Sequence, residues 1–371
     1  MTALSHIKDT WAALHETPEV GFQEVKTAAF LAARLQAAGY QVQTGVGGTT
    51  GVIGTLASGG PGPVVALRAD MDALAHTVDG KECAIHSCGH DAHSAMVLTV
   101  AEEAARLGLA SGTLKIIFQP AEEVLDGAQS MIAGGAVDDV DVLLGIHLRP
   151  GQEAKLGQAT PALYHGASYI LEGVLKGVAA HGARPHLGVN VIDAAAAVVG
   201  AVNAIHSNPT IPATVKVTKL QAGSAALNAI PDNAYLALDL RAQDNSLMED
   251  LIKKATRAVE AGAATVGAEA IVKIKGGVPA AEYDQGIVEL AREAITAILG
   301  PQGLLEPIVT PGGEDFHYFV KSKPALKVGY IGLGCDLTPG LHHPQMKFDP
   351  AALEGGARIL LYMVNKLIGV K

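Results

Sequence analysis

Three short, largely apolar runs, each ending in residues that can bind a metal or a proton, constrain this chain more than any other feature. Val64–Leu67 leads into Arg68-Ala69-Asp70-Met71-Asp72, Leu114–Phe118 into Gln119-Pro120-Ala121-Glu122-Glu123, and Val140–Ile146 into His147. Apolar runs of roughly four to eight residues between turn signals are buried-strand patterns. Helical patterns over Ala92–Leu107 and Ala128–Ala133 separate them. Strands alternating with helices predict an α/β fold with a mostly parallel sheet. In such sheets sites form outside the carboxyl ends of the strands, where these polar residues fall.

The densest group of ligand-type residues lies between the first two runs. Ile85-His86-Ser87-Cys88-Gly89-His90-Asp91-Ala92-His93 holds three His, one Cys and one Asp in nine residues. That mixture of soft and borderline donors suggests a transition-metal site. No second Cys pair follows at zinc-finger spacing. Cys88 and His90 are two apart and cannot share a helical face, so they converge from a loop that ends where the Ala92 helix begins. Bland readings compete. A lone Cys is usually a small buried hydrophobe, and a His at a strand end is often a satisfied core residue. The crowding around Cys88, and the apolar strand and Pro before Glu122-Glu123, favour a site. Cys83 and Cys335 keep the reading of structural thiols.

The flanking segments set the domain plan. Ile7–His15 and Val25–Ala38 read as helices, the second stopped by Gly39, and Gln41–Val46 and Gly51–Leu56 as strands. From about Ala167 the rhythm changes. Strands at Ser168–Lys176, Thr214–Leu220, Tyr235–Arg241 and Ala268–Lys275, with helices at Val189–Ile205 and Leu247–Val266, give the β-α-β-β-α-β order of a ferredoxin-like unit. Afterwards α/β character returns, with a helix at Gln285–Leu299, a strand at Ala325–Ile331 and a helix at Ala351–Leu367. The expected plan is a parallel-sheet catalytic domain of residues 1–166 and 277–371, interrupted by an α+β lid of residues 167–276. A length of 371 residues agrees with two domains, and 49% hydrophobic content supplies an ample core. The net charge of −10 argues against nucleic acid or an anionic membrane as partner. No apolar run reaches membrane-spanning length, and Met1–His6 shows no basic leader pattern. Three cysteines do not read as a disulfide framework, so a reducing, cytoplasmic location is expected.

Seven motifs then occur in a telling order: Asp70-Met71-Asp72-Ala73-Leu74, His86-Ser87-Cys88-Gly89-His90-Asp91-Ala92-His93, Pro120-Ala121-Glu122-Glu123, Gly145-Ile146-His147, His181-Gly182-Ala183-Arg184-Pro185-His186, Gly313-Glu314-Asp315-Phe316 and Leu341-His342-His343-Pro344. Together, over nearly the whole chain, they resemble the amidohydrolase branch of the M20 metallopeptidase family. The resemblance implies a hydrolase of N-acyl amino acids or related conjugates, with two divalent metal ions, zinc or manganese first and cobalt or nickel next. It implies metal ligands at Cys88, His90, Glu123, His147 and His342, with Cys88 as bridging thiolate and Glu122 as general base and acid. It implies a transition-state role for His181, reaching in from the lid of a neighbouring subunit in a homodimer. Asn228 and Arg241 would face the substrate carboxylate. One departure concerns Ala75-His76, where many members carry Pro after Asp-Ala-Leu, and the segment from there to His86 is short. It bears on acyl-group preference.

The chemistry suits these residue types. Amide hydrolysis needs an acidified water and a polarised carbonyl, which paired divalent ions supply. A carboxylate beside a ligand, as Glu122 is beside Glu123, can shuttle the proton. Asp72 is placed to orient a His ligand. His86 and His93 are open between ligand, orienting and helix-start roles, and Glu314-Asp315 between helix-start charges and support of the site. His165, His206 and His317 are unassigned. Two other classes stay open from the sequence: a dipeptidase of the same family, and a binding protein on this scaffold without turnover.

Overall fold

The computed structural model describes residues 3–371; Met1 and Thr2, which open the stretch read for a leader, lie outside the described residues. The chain forms two compact units. One takes in the chain up to Tyr164, Glu282–Val309 and Asp315–Lys371; the other takes His165–Ala281 and Thr310–Glu314. The short Thr310–Glu314 piece, which the sequence rhythm groups with the tail, belongs to the second unit. No described helix is long and apolar enough to cross a membrane.

The first unit is built on a seven-stranded sheet. Its order is Gln41–Val46, Gly51–Ala57, Thr113–Gln119, Val64–Asp70, Val142–Pro150, Lys327–Leu337 and Ala159–Thr160. The four strands from Thr113–Gln119 to Lys327–Leu337 run parallel, and antiparallel pairing is confined to the sides. Alternation along the central strands feeds two cores. Val65 and Leu67 enter one cluster with helices His90–Leu107 and Ala352–Ile368, while Ala66 enters another with Met131, Phe319 and Tyr330. Helices on both faces make these strands apolar on both sides, which is why they read as runs rather than alternations.

Two strands extend further than the sequence suggests. Val64–Asp70 continues through Arg68, and Val142–Pro150 carries His147 in its middle, opposite Gly332, instead of after its end. Ladder bonds from Lys327–Leu337 hold that extension. The Cys88 loop also closes earlier than expected, because the helix begins at His90. Gly89 caps it with φ 89°, and a Cβ there would lie 2.8 Å from Leu148 Cδ1. A hairpin, Leu74–Val78 with Lys81–Ile85, was not anticipated. Its turn residues Asp79 and Gly80 both have positive φ, the Asp-Gly signature of a two-residue hairpin. Cys83 is therefore exposed on a hairpin, whereas Cys335 is buried.

The second unit has four antiparallel strands in the order Ala213–Ala222, Asn233–Ala242, Ala167–Lys176 and Glu269–Val278. Helices Val191–Asn203 and Asn245–Ala264 pack against it, with Asn190 and Asp244 capping their first turns. This is the ferredoxin-like topology.

Two outcomes follow. Gly145 lies against the ring of Tyr330, and an added Cβ would sit 2.4 Å from it and 3.2 Å from Phe316. Gly145→Ala should lower stability by about 1–3 kcal/mol, read as a lower urea midpoint at constant slope. At the N-terminal side, buried Asp91 accepts from Trp11 Nε1–H at 2.9 Å and pairs with His15 Nδ1 at 2.6 Å. The hydrogen bond to Asp91, partly opposed by burial, raises the His15 pKa. The pair therefore stabilises fully below the ordinary imidazole pKa and fades as pH rises through the raised one. The gap in urea midpoint between wild type and His15→Ala should be wide at pH 6 and narrow at pH 9.

Candidate metal centre

The parallel strands deliver their polar ends to one edge of the sheet. Asp72 follows Val64–Asp70, Glu122 and Glu123 form a 3-10 turn after Thr113–Gln119, and His147 projects from Val142–Pro150. Backbone strain marks the turn: Ala121 and Leu125 on either side have φ 55° and 61°. Buried Glu24 holds Ala121 by accepting its N–H at 2.8 Å. Non-glycine residues in this region persist only where the surroundings over-determine them.

The donor atoms gather in two triads that share Cys88. Cys88, His90 and His147 form one and Cys88, Glu123 and His342 the other, with ligand atoms inside each triad within 4.8 Å of one another. Cys88 Sγ lies 3.6 Å from His147 Nε2, and His342 Nε2 lies 3.4 Å from Glu123 Oε1. Glu122 is beside them, its Oε2 4.0 Å from His90 Nε2. Of the two adjacent imidazoles, His342 faces Glu123, whereas exposed His343 accepts from Gln345 N–H. His86 is buried outside both triads.

Hydrogen bonds fix which nitrogens are free. His90 Nδ1–H donates to Asp72 Oδ1 at 2.9 Å, and His147 Nδ1–H donates to Leu148 O at 2.6 Å. Each ring therefore presents its Nε2 lone pair to the cluster. Asp72 has a second duty, since its Oδ2 accepts Glu123 N–H at 3.0 Å. One carboxylate thus aligns a donor at the start of a helix with one on a 3-10 turn.

The electrostatics call for a cation. His90 Nε2 and Glu123 Oε1 are buried and meet hydrogen-bond geometry with no protein atom. Burial would lower the His90 pKa, but the negative charge of Asp70 holds it well above its ordinary value. The surroundings of His90 thus favour positive charge. Burial pushes the Cys88 thiol well up, so a thiolate there needs a cation against it. Burial, with His93 and Arg149 nearby, keeps His147 neutral and able to donate its lone pair. Imidazole, thiolate and carboxylate converging this way fit divalent transition metals.

Residues 66–366 match the Peptidase M20 family, described as peptidase family M20/M25/M40. The chain belongs to the M20 peptidase family. As an M20 member it is a hydrolase acting on amide bonds. It is 32% identical to the indole-3-acetyl-aspartic acid hydrolase of Enterobacter agglomerans, over 82% of this chain and 73% of that one. It is 30% identical to the N-acetylcysteine deacetylase of Bacillus subtilis, over 92% and 91% of the two chains. A crystal structure of a Bacillus subtilis protein described as a dinuclear metal-binding peptidase of this family superposes with TM-score 0.81. The two are 27% identical, covering 100% of this chain and 99% of that one.

The other expected residues of this M20 chain lie in the second unit. His181 is exposed on a two-residue ladder with Ala229, and its Nδ1 accepts Ala183 N–H at 3.1 Å. Asn228 adjoins it through Gly182 N–H to Asn228 O at 2.7 Å. The Arg241 fork is occupied by Asp239, at 2.7 and 3.1 Å. No local pattern gives Arg68, Gln119 or Glu24 a role, and His93 and Asp315 stay open from the sequence alone. Arg68 and Asp70 are two apart on one strand and so share a face, a signal present in the pattern.

Thiol reactivity offers a direct check. Burial pushes the Cys335 thiol up to about 12 and that of Cys88 well above the ordinary value, while Cys83 is exposed. In metal-stripped folded protein at pH 8, Ellman's reagent should titrate Cys83 fast, and Cys88 and Cys335 only on unfolding. Fast release of a second equivalent would contradict this burial.

Proposed function

We propose that this M20 hydrolase cleaves the amide of N-acyl amino acids or related conjugates, with Glu122 as general base and acid. The observation that carries the reading is a pair of donor triads meeting at Cys88 with the Glu122 carboxylate beside them. The likeness to hydrolases of an N-acetyl and an indole-acetyl amino acid supports this substrate class.

Cys88, His90, Glu123, His147 and His342 would hold two divalent ions, zinc or manganese first and cobalt or nickel next, which polarise a carbonyl and acidify water. The chain's own groups do the rest. Glu122 takes the proton of the attacking water and returns it to the leaving amine, a contribution of roughly 10²–10⁴-fold. Asp72 keeps the His90 tautomer and the Glu123 backbone in register. With its Nδ1 accepting from Ala183, neutral His181 carries its proton on Nε2, where it can donate to a developing oxyanion. Asn228 and Arg241 would bind the substrate carboxylate, which for Arg241 means exchanging Asp239 for the ligand. We assign a homodimer formed through the second unit, with His181 given to the partner's site. Three free thiols suit a reducing, cytoplasmic compartment.

Glu122→Gln should lower kcat by about 10²–10⁴-fold on N-acetyl amino acids while metal content by elemental analysis is unchanged. Wild-type turnover in that variant would remove Glu122 as base. Chelation should abolish hydrolysis and Zn²⁺, Mn²⁺, Co²⁺ or Ni²⁺ restore it. Faster cleavage of free-amine dipeptides than of acylated amino acids would replace this substrate class. Full activity from a strictly monomeric species in sedimentation would end the dimer assignment.

A further inference from the structure

Behind the donor cluster lies a charged residue that the proposed reaction does not use. Arg68 is fully buried on the central strand Val64–Asp70. Its guanidinium donates to Asp70 Oδ2 at 2.7 Å, to Asp315 Oδ1 at 3.0 Å, to Gln119 Oε1 at 2.8 Å and to the Tyr330 hydroxyl at 3.3 Å. Gln119 Nε2–H in turn donates to both Asp315 oxygens, at 2.8 and 2.9 Å, and Ala128 N–H adds a bond of 2.9 Å.

Two arms leave this centre. Along the first, Asp70 Oδ1 accepts His93 Nδ1–H at 2.6 Å, His93 Nε2 accepts Leu148 N–H at 2.9 Å, and Leu148 O accepts His147 Nδ1–H at 2.6 Å. Every proton in that arm is assigned, because a backbone N–H fixes the His93 tautomer and a carbonyl fixes that of His147. Along the second arm, Asp315 N–H points to Glu122 Oε1 at 3.4 Å. One guanidinium is thus connected to an imidazole of the donor cluster and to the carboxylate assigned as base.

Burying such an ion is costly, and well-packed apolar residues of similar volume often stabilise as much or more. Stability alone is therefore a poor reason for Arg68. What a planar fork supplies is a fixed angle between two carboxylates. We propose that Arg68 is a positioning residue whose fork between Asp70 and Asp315 sets the His147 imidazole and the Glu122 carboxylate for the reaction. The inference rests on the hydrolase reading above, which gives His147 and Glu122 their parts.

The test compares Arg68→Lys and Arg68→Met with wild type. Arg68→Lys keeps the buried charge but cannot fork between both carboxylates. Steady-state rates on an N-acetyl amino acid give kcat and KM. Co²⁺ added to the metal-stripped protein reports the donor cluster through its visible bands and the thiolate charge-transfer band of Cys88. Arg68→Lys should lower kcat by about 10–100-fold, keep KM within about twofold, and shift the Co²⁺ spectrum, with circular dichroism and Tm near wild type. Arg68→Met should do the same or more; if it does not fold, Arg68→Lys decides alone. A merely structural role would lower Tm and leave kcat per folded molecule and the spectrum unmoved, which would overturn the proposal. Wild-type protein that takes up no Co²⁺ would fail the metal reading itself. Active, Co²⁺-binding wild type beside an unperturbed Lys variant would fail this inference alone.

Discussion

The ionisable groups Arg68, Asp70, Asp72 and His93 are buried at the centre of the first unit, where each needs a protein partner. That requirement organises the first unit. Asp72 is spent on His90 and on the Glu123 backbone, and Asp70 on His93 and Arg68. Among the atoms left over, His90 Nε2 and Glu123 Oε1 lie 3.7 Å apart. Buried polar groups left unmatched cost free energy unless something completes them. Cluster shape and cation affinity are thus two views of one electrostatic balance.

The sheet makes the balance geometrically cheap. Parallel strands in register end together, so residues far apart in sequence arrive at one edge without special loops. The donors that did need local contrivance show it in their backbones. Ala121 and His342 have positive φ, and Gly89 turns the chain into a helix where a side chain would meet Leu148. The strand Lys327–Leu337 has its own irregularity, with Asp336 at φ 52° and a register shift between Gly334 and Leu337.

What the sequence discloses follows from range. Apolar runs, the Cys88 motif and the Glu122-Glu123 pair are local patterns, and the central strands and their polar ends are legible in them. The ferredoxin-like order is legible because each of its elements carries its own periodicity. The hairpin escaped although Asp79-Gly80 announces it, because Lys81-Glu82-Cys83 has no clean alternation. Local pattern puts His147 after its strand because the extra rungs come from Lys327–Leu337, a partner that no local pattern reveals. Arg68 escaped for a related reason. Its partners Gln119, Asp315 and Tyr330 are scattered along the chain, and only the folded sheet brings them to one guanidinium.

The position of Lys327–Leu337 has a consequence for how the molecule is made. That strand lies inside the sheet, beside Val142–Pro150, and Ala159–Thr160 pairs on its other side. Until the ribosome has released it, the Val142 strand has an open ladder and His147 lacks the neighbour that holds its backbone straight. The second unit draws nearly all its residues from one continuous stretch and closes through nearer pairings. Synthesis therefore completes the interrupted unit last, and a nascent chain arrested before Lys327 would present an unpaired apolar strand edge, the kind of surface that chaperones bind and aggregates grow from.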